Sequence, residues 1–206
     1  MNLLTKFETL TTPDAGGSPV WQGALTRLFQ VSRSLVNSMN ADIHAGLLPA
    51  GFCARSNVAT HPELAGLESV IRAIIDHYPL EVEAPFEGVE TIAGGVWPGA
   101  RFCEEAAADA LLRLQFRAGT VDLPLHSHDH SDRVIFVAEG SGCFELRPGV
   151  RHQDVRSISI ETGDVLVFAR GATHTFRVPD SELVLLSFHS PFIPLSDDRQ
   201  FTIASE

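Results

Sequence analysis

Cysteine is scarce in this 206-residue chain. Cys53, Cys103 and Cys143 stand apart, odd in number and without a CxxC pair, so neither a disulfide framework nor a cysteine zinc finger is indicated. The expectation is three buried, reduced thiols, with Cys143, on a predicted strand, able to approach an interior cavity. Positive charge is also in deficit: 15 Lys and Arg stand against 26 Asp and Glu, a net charge of −11. Such a surface repels a phosphate backbone, and no basic stripe or basic-aromatic interleaving offsets it, so nucleic acid is excluded as a partner. Long apolar runs are missing. None approaches the ~20 residues that cross a bilayer. The start, MNLLTKFETLTTPD, has neither the apolar core nor the cleavage pattern of a signal peptide. The reading is a cytoplasmic protein with no membrane partner. No internal repeat is present, and a hydrophobic content of 44% supports one main domain with an appendage.

What is present divides the chain near residue 84. In the first part, Ser18-Pro19 makes a helix start, and Trp21, Leu25, Leu28, Val31, Leu35 and Met39 follow at helical spacing. A second start, the capping-box pattern Thr60-His61-Pro62-Glu63, leads into Leu64, Leu67, Ile71, Ile74, Ile75 and Tyr78 before Pro79 stops the run. Two such stripes are read as helices covering one face of the rest, or as a dimer contact. TTPDAGGSP reads as an exposed linker, and ADIHAGLLPAGFCARSN stays unassigned.

From about residue 85 the texture is that of strands. Alternating or short apolar runs appear at GVETIAGGVW, DALLRLQFRAG, RVIFVAEG, GCFELR, SISIETG, DVLVFAR, THTFRV and ELVLLSFH, with turn residues between them. Glu139-Gly140-Ser141-Gly142 is read as a hairpin turn with CFELR as the return strand. About eight strands at this spacing predict a small closed barrel or jelly roll. Leu111, Leu114, Phe116, Ile135, Val137, Phe144, Val167 and Phe176 are its expected cavity or core residues.

The chemistry concentrates in HSHDHSDR, where His126, His128 and His130 alternate beside Asp132. Residues two apart on a strand project from one face, so His126 and His128 can grip one ion. A further ligand must come from another segment, because one strand cannot surround an ion; His174, in RGATHTF, can supply it. Asp132 and His130 are further candidate ligands, since carboxylate and imidazole both complete such sites. His189, closing LVLLSFHS, is read as a strand-end histidine, and His44, His61, His77 and His152 show no partner pattern.

These segments resemble the two sequence motifs of the cupin superfamily, together covering roughly residues 110 to 180. Gly119, His126, His128 and Gly140 match the first motif, and Gly163, Asp164, Gly171 and His174 match the second. The resemblance implies a mainly β fold: a single cupin-type β-barrel or jelly roll over residues 85–206, preceded by a helical N-terminal extension over residues 1–84. It also implies a divalent metal ion, iron most naturally, with zinc, nickel, manganese or copper as alternatives, a small-molecule ligand and a homodimer.

Two positions depart from the family pattern. Arg133 stands where a metal-binding glutamate is usual, and an arginine has no acceptor with which to bind a cation. Three arrangements stay open: a three-histidine site, a site completed by Asp132 or His130, or a metal-free barrel in which Arg133 holds an anion through its planar fork. Ala169 stands where a turn proline is common. The resemblance implies either an enzyme or a binder. The enzyme would be dioxygenase-like, similar to the thiol and diketone branches, with Arg133 anchoring a substrate carboxylate. The same metal would also serve an isomerase as a Lewis acid, and the alternative from another class is a non-catalytic ligand- or metal-sensing module.

Overall fold

The computed structural model describes residues 19–77, 82–83, 92–147, 155–194 and 196–204. Most of the expected linker, Ser18, the stop at Tyr78-Pro79 and the division at 84/85 lie outside the described residues.

Helix α1 (Pro19–His44) buries Leu25, Leu28, Phe29, Ser32, Val36 and Met39. These positions recur every three or four residues and so share one face; Val31 and Leu35 flank it, half-buried. Helix α2 (Leu67–His77) buries Leu67, Ile71, Ile74 and Ile75. The expected capping box does not form. Pro62–Leu64 makes a single 3-10 turn whose N-cap, His61, has no side-chain bond. Thr60 Oγ1 donates instead to the Asn57 carbonyl at 3.2 Å. Gly66, at φ +78°, then breaks the path, because a left-handed residue cannot continue a right-handed helix. Neither helix is long and apolar enough to cross a membrane.

The strands among the described residues are β1 (Cys53–Asn57), β2 (Val82–Glu83), β3 (Ile92–Pro98), β4 (Ala110–Phe116), β5 (His126–Ser127), β6 (Asp132–Arg147), β7 (Arg156–Glu161), β8 (Asp164–Phe168), β9 (Thr173–Arg177), β10 (Leu183–Ser190) and β11 (Thr202–Ile203). They form one antiparallel, curled sheet in the order β11-β5-β9-β6-β10-β4-β3-β2, with β7 and β8 also on β6 and β1 on β8. The described residues form a mainly β jelly-roll barrel with two α-helices on its outer face.

The hairpin expected at Gly140 is absent. β6 runs straight through as one 16-residue strand, pairing first with β8 and β10 and then with β7 and β9. Gly140 bends it: φ is +82°, the register on β10 shifts nearby between Val184 and Leu185, and a Cβ there would lie 1.8 Å from the Glu182 carbonyl oxygen. The glycine-rich stretch is therefore a bulge that carries one strand across the barrel, not a turn that reverses it.

Strand alternation sorts the core into two layers. On β10, Leu183 and Leu185 point into the barrel while Val184, Leu186 and Phe188 meet the helices. On β6, Ile135 and Val137 point inward, Val134, Phe136 and Ala138 outward. Of the expected core residues, Leu114, Phe116, Phe144 and Phe176 join the interior layer, whereas Leu111 and Val167 lie in the layer under the helices. Phe29 links helix to sheet, stacking on Phe102 at 5.6 Å and meeting Phe188 edge-on at 5.9 Å.

β1 comes from the segment that sequence left unassigned. It pairs along its whole length with β8, from Cys53 opposite Phe168 to Asn57 opposite Asp164. Asp164, of the Gly-Asp turn, secures it with a 2.7 Å ion pair to Arg55 and a 3.2 Å hydrogen bond from Asn57 Nδ2. Burial pushes the Cys53 thiol up to about 12, which keeps it protonated.

Candidate metal centre

His126 sits on β5, directly opposite His174 on β9. His128 follows two residues after His126, and the three rings converge with centroids 4.6 to 5.3 Å apart. All three are buried. Each Nδ1 lies against a backbone carbonyl: Pro124 at 2.9 Å for His126, Gln200 at 2.6 Å for His128 and Ala172 at 2.9 Å for His174. A carbonyl only accepts, so each Nδ1 carries the proton and each Nε2 keeps its lone pair for a cation. One ligand nitrogen from each ring lies within 4.8 Å of the others. The second motif also holds the first in place, since the Gly171 amide donates to the His128 carbonyl at 3.1 Å.

Burial keeps these imidazoles neutral. It lowers His126 to about 4, with the charge of Arg133 adding to the effect and the Pro124 hydrogen bond opposing it. His128 and His174 are held well below the ordinary histidine value, again chiefly by burial. Neutral, pre-oriented, buried imidazoles are what a divalent metal requires. The three histidines thus fit a metal ion.

The other candidates lie elsewhere. Asp132 is buried, but its carboxylate faces away from the histidines: Oδ1 accepts from the Arg170 amide at 2.8 Å, and Oδ2 from Arg170 Nη2 at 2.8 Å and Asn40 Nδ2 at 2.9 Å. Burial pushes this carboxyl up, yet the hydrogen bonds from Arg170 and Asn40 outweigh it and hold it below the usual carboxylate value. His130 is exposed. Neither belongs to the histidine group. Cys143 does not line this cavity; it lies in an outer groove with Ser159 and Ser181.

Arg133, next along β6, points the opposite way from Asp132, into the barrel, and is 1% exposed. Nη1 donates to Ser131 Oγ and, at 3.3 Å, to the Asp132 carbonyl. Nε and Nη2 are buried with no hydrogen-bond partner in the protein. Burial pushes the guanidinium down to about 9, with the charge of Asp132 working against it.

Three further polar residues share the cavity with the histidines and Arg133: Ser187, His189 and Gln200. His189 lies opposite Arg133 across β10 and β6, its Nε2 2.9 Å from Ser187 Oγ and its Nδ1 unpartnered. Sequence reasoning missed this inner role. The signal was the alternation of LVLLSFHS, which puts Ser187 and His189 on the face of Leu183 and Leu185. Gln200 left no signal, for it comes from an irregular C-terminal stretch that leads into β11, paired with β5. The remaining wall is apolar, including Leu112, Leu123, Ile135 and Phe168. The free volume is small, about 40 Å³.

No family profile matches this chain, and no curated protein does. Solved structures do match. The oxalate decarboxylase of Lactobacillus farciminis in its formate complex is 19% identical at a TM-score of 0.43, over 55% of this chain and 32% of that one. An oxalate oxidase in complex with glycolate is 17% identical at 0.43, over 56% and 60%. The vicilin of Solanum melongena is 23% identical at 0.41, over 52% and 30%. The chain therefore spans between about a third and three fifths of the length of these proteins.

Proposed function

We propose that this chain, a cupin by its fold and motifs, is a metal-dependent enzyme of the mononuclear non-haem dioxygenase type, acting on a small carboxylate. His126, His128 and His174 would hold the ion, and a bound Fe(II), the natural choice for this chemistry, would supply the redox capacity. The chain's own residues do the rest. Arg133 binds the substrate carboxylate through Nε and Nη2, whose planar fork matches two carboxylate oxygens. The apolar wall excludes water and strengthens that ion pair. His189, braced by Ser187, stands beside Arg133 with a free ring nitrogen able to hold or pass a proton at the bound substrate.

One observation carries this reading: a buried guanidinium with two unpartnered N–H groups opens into the same cavity as three metal-ready imidazoles. A buried cation without a counter-charge is costly unless a ligand provides one. Elemental mass spectrometry on untagged protein, followed by oxygen-uptake screens with small carboxylates and thiol acids, tests it. Near-equimolar iron with substrate-dependent oxygen consumption is expected. Stoichiometric metal without turnover of any such acid would favour the sensing module instead.

A further inference from the structure

Gln200 serves the cavity twice. Its backbone carbonyl accepts the hydrogen bond from His128 Nδ1, and the residue lines the cavity with its side-chain Oε1 buried and without a hydrogen-bond partner in the protein. The residue is 3% exposed. Opposite in character, Arg133 presents two unpartnered donors to the same space. Unpartnered groups define the ligand by complement: the two donors call for an anion, and the amide oxygen calls for a donor.

We propose that Gln200 is a specificity residue, and that the substrate is a two- or three-carbon hydroxy- or amino-carboxylate instead of a plain carboxylate or a diacid. Its carboxylate lies on Arg133, and its hydroxyl or ammonium group donates to Gln200 Oε1. This rests on the carboxylate reading above and sharpens it. The size limit follows from the free volume of about 40 Å³. A second carboxylate would bring a second negative charge into a cavity that offers one guanidinium, at the cost of burying an unpaired anion. A plain acid would leave Oε1 buried and unpaired, and a site built around such a group discriminates strongly against the ligand that lacks the donor.

Calorimetric titration of the full-length protein as purified, its metal content measured in parallel, tests this with glycolate, glycine, acetate and malonate. Glycolate or glycine should bind at least roughly tenfold tighter than acetate, and malonate should bind worst. Gln200→Met keeps the backbone carbonyl and the side-chain volume; it should leave metal content unchanged and erase the preference, glycolate and glycine losing their advantage over acetate as acetate is freed from the unpaired oxygen. The wild-type comparison stands even if that variant folds poorly. Equal binding of acetate and the two donor-bearing acids would overturn the role of Gln200 and leave the carboxylate reading intact. Failure of all four acids to bind, or undiminished binding of them by Arg133→Met, would overturn the carboxylate reading itself.

Discussion

Replacing Arg133 by methionine should make the fold more stable while destroying its anion site. The guanidinium sits in the barrel, 1% exposed, and burial lowers it to about 9. That depression corresponds to about 5 kcal/mol against the charged form. The sign follows from linkage: below about pH 9 both folded and unfolded chains carry the proton, so the full penalty applies at neutral pH. Above about 9 the folded protein releases the proton first, and the wild type regains stability. Methionine keeps much of the volume and forfeits the bonds to Ser131 and the Asp132 carbonyl, at about 1 kcal/mol each. The net gain is about 2–3 kcal/mol, in the range seen when buried charges give way to apolar side chains. For a chain of this size that raises Tm by roughly 4–12 °C. Thermal melts of chelator-treated wild type and Arg133→Met at pH 7.5 measure it. Acetate should stabilise only the wild type, and the gap between the two proteins should narrow above pH 9. A variant that melts at or below the wild type would refute the reasoning, because it would mean that the guanidinium is already compensated within the protein.

Three other outcomes are expected. His126→Ala and His174→Ala should each lose stoichiometric metal by elemental mass spectrometry, whereas Asp132→Asn should retain it and melt lower; metal retained in both histidine variants would dissolve the three-histidine centre. Metal-free protein should lose stability as pH falls: with His126 depressed to about 4, the unfolded chain takes up protons first. That one residue accounts for about 2 kcal/mol between pH 7.5 and 5, and a urea midpoint that stays flat across this interval would contradict the buried neutral state. Gly140→Ala should cost about 3 kcal/mol or more, from its left-handed backbone and from the collision with the Glu182 carbonyl; chemical denaturation reads this, and a loss under about 1 kcal/mol would mean that the bulge relaxes freely.

The strands were legible as short apolar runs between turn residues: β8, β10 and the first half of β6 are buried on both faces and read as near-continuous apolar stretches. The histidines were legible through period two, since the two-residue spacing of His126 and His128 is enough to place both imidazoles on one face. What was hidden depends on contacts distant in sequence. Gly140 reads equally well as turn or bulge, and only its pairing with β10 decides. β1 is short and carries no apolar pattern; its order comes from Asp164 and Phe168, more than a hundred residues away. Ala169, unexplained as a departure from proline, has a reason in that pairing: its amide donates to the Phe52 carbonyl at 2.9 Å, a bond proline cannot make. Which way Arg133 and Asp132 face is likewise a matter of strand register.

That register gives the pair of adjacent charges on β6 a further meaning. A slip of one residue would exchange the two faces, presenting the Asp132 carboxylate to the histidines and driving the Arg133 guanidinium outward against Arg170. The interior would then resemble an ordinary carboxylate-bearing centre, and two cations would collide beneath α1. The outer clasp of Asp132 with Arg170 and Asn40 thus acts as a latch on the strand: bonds made on the outside of the barrel keep its interior positive.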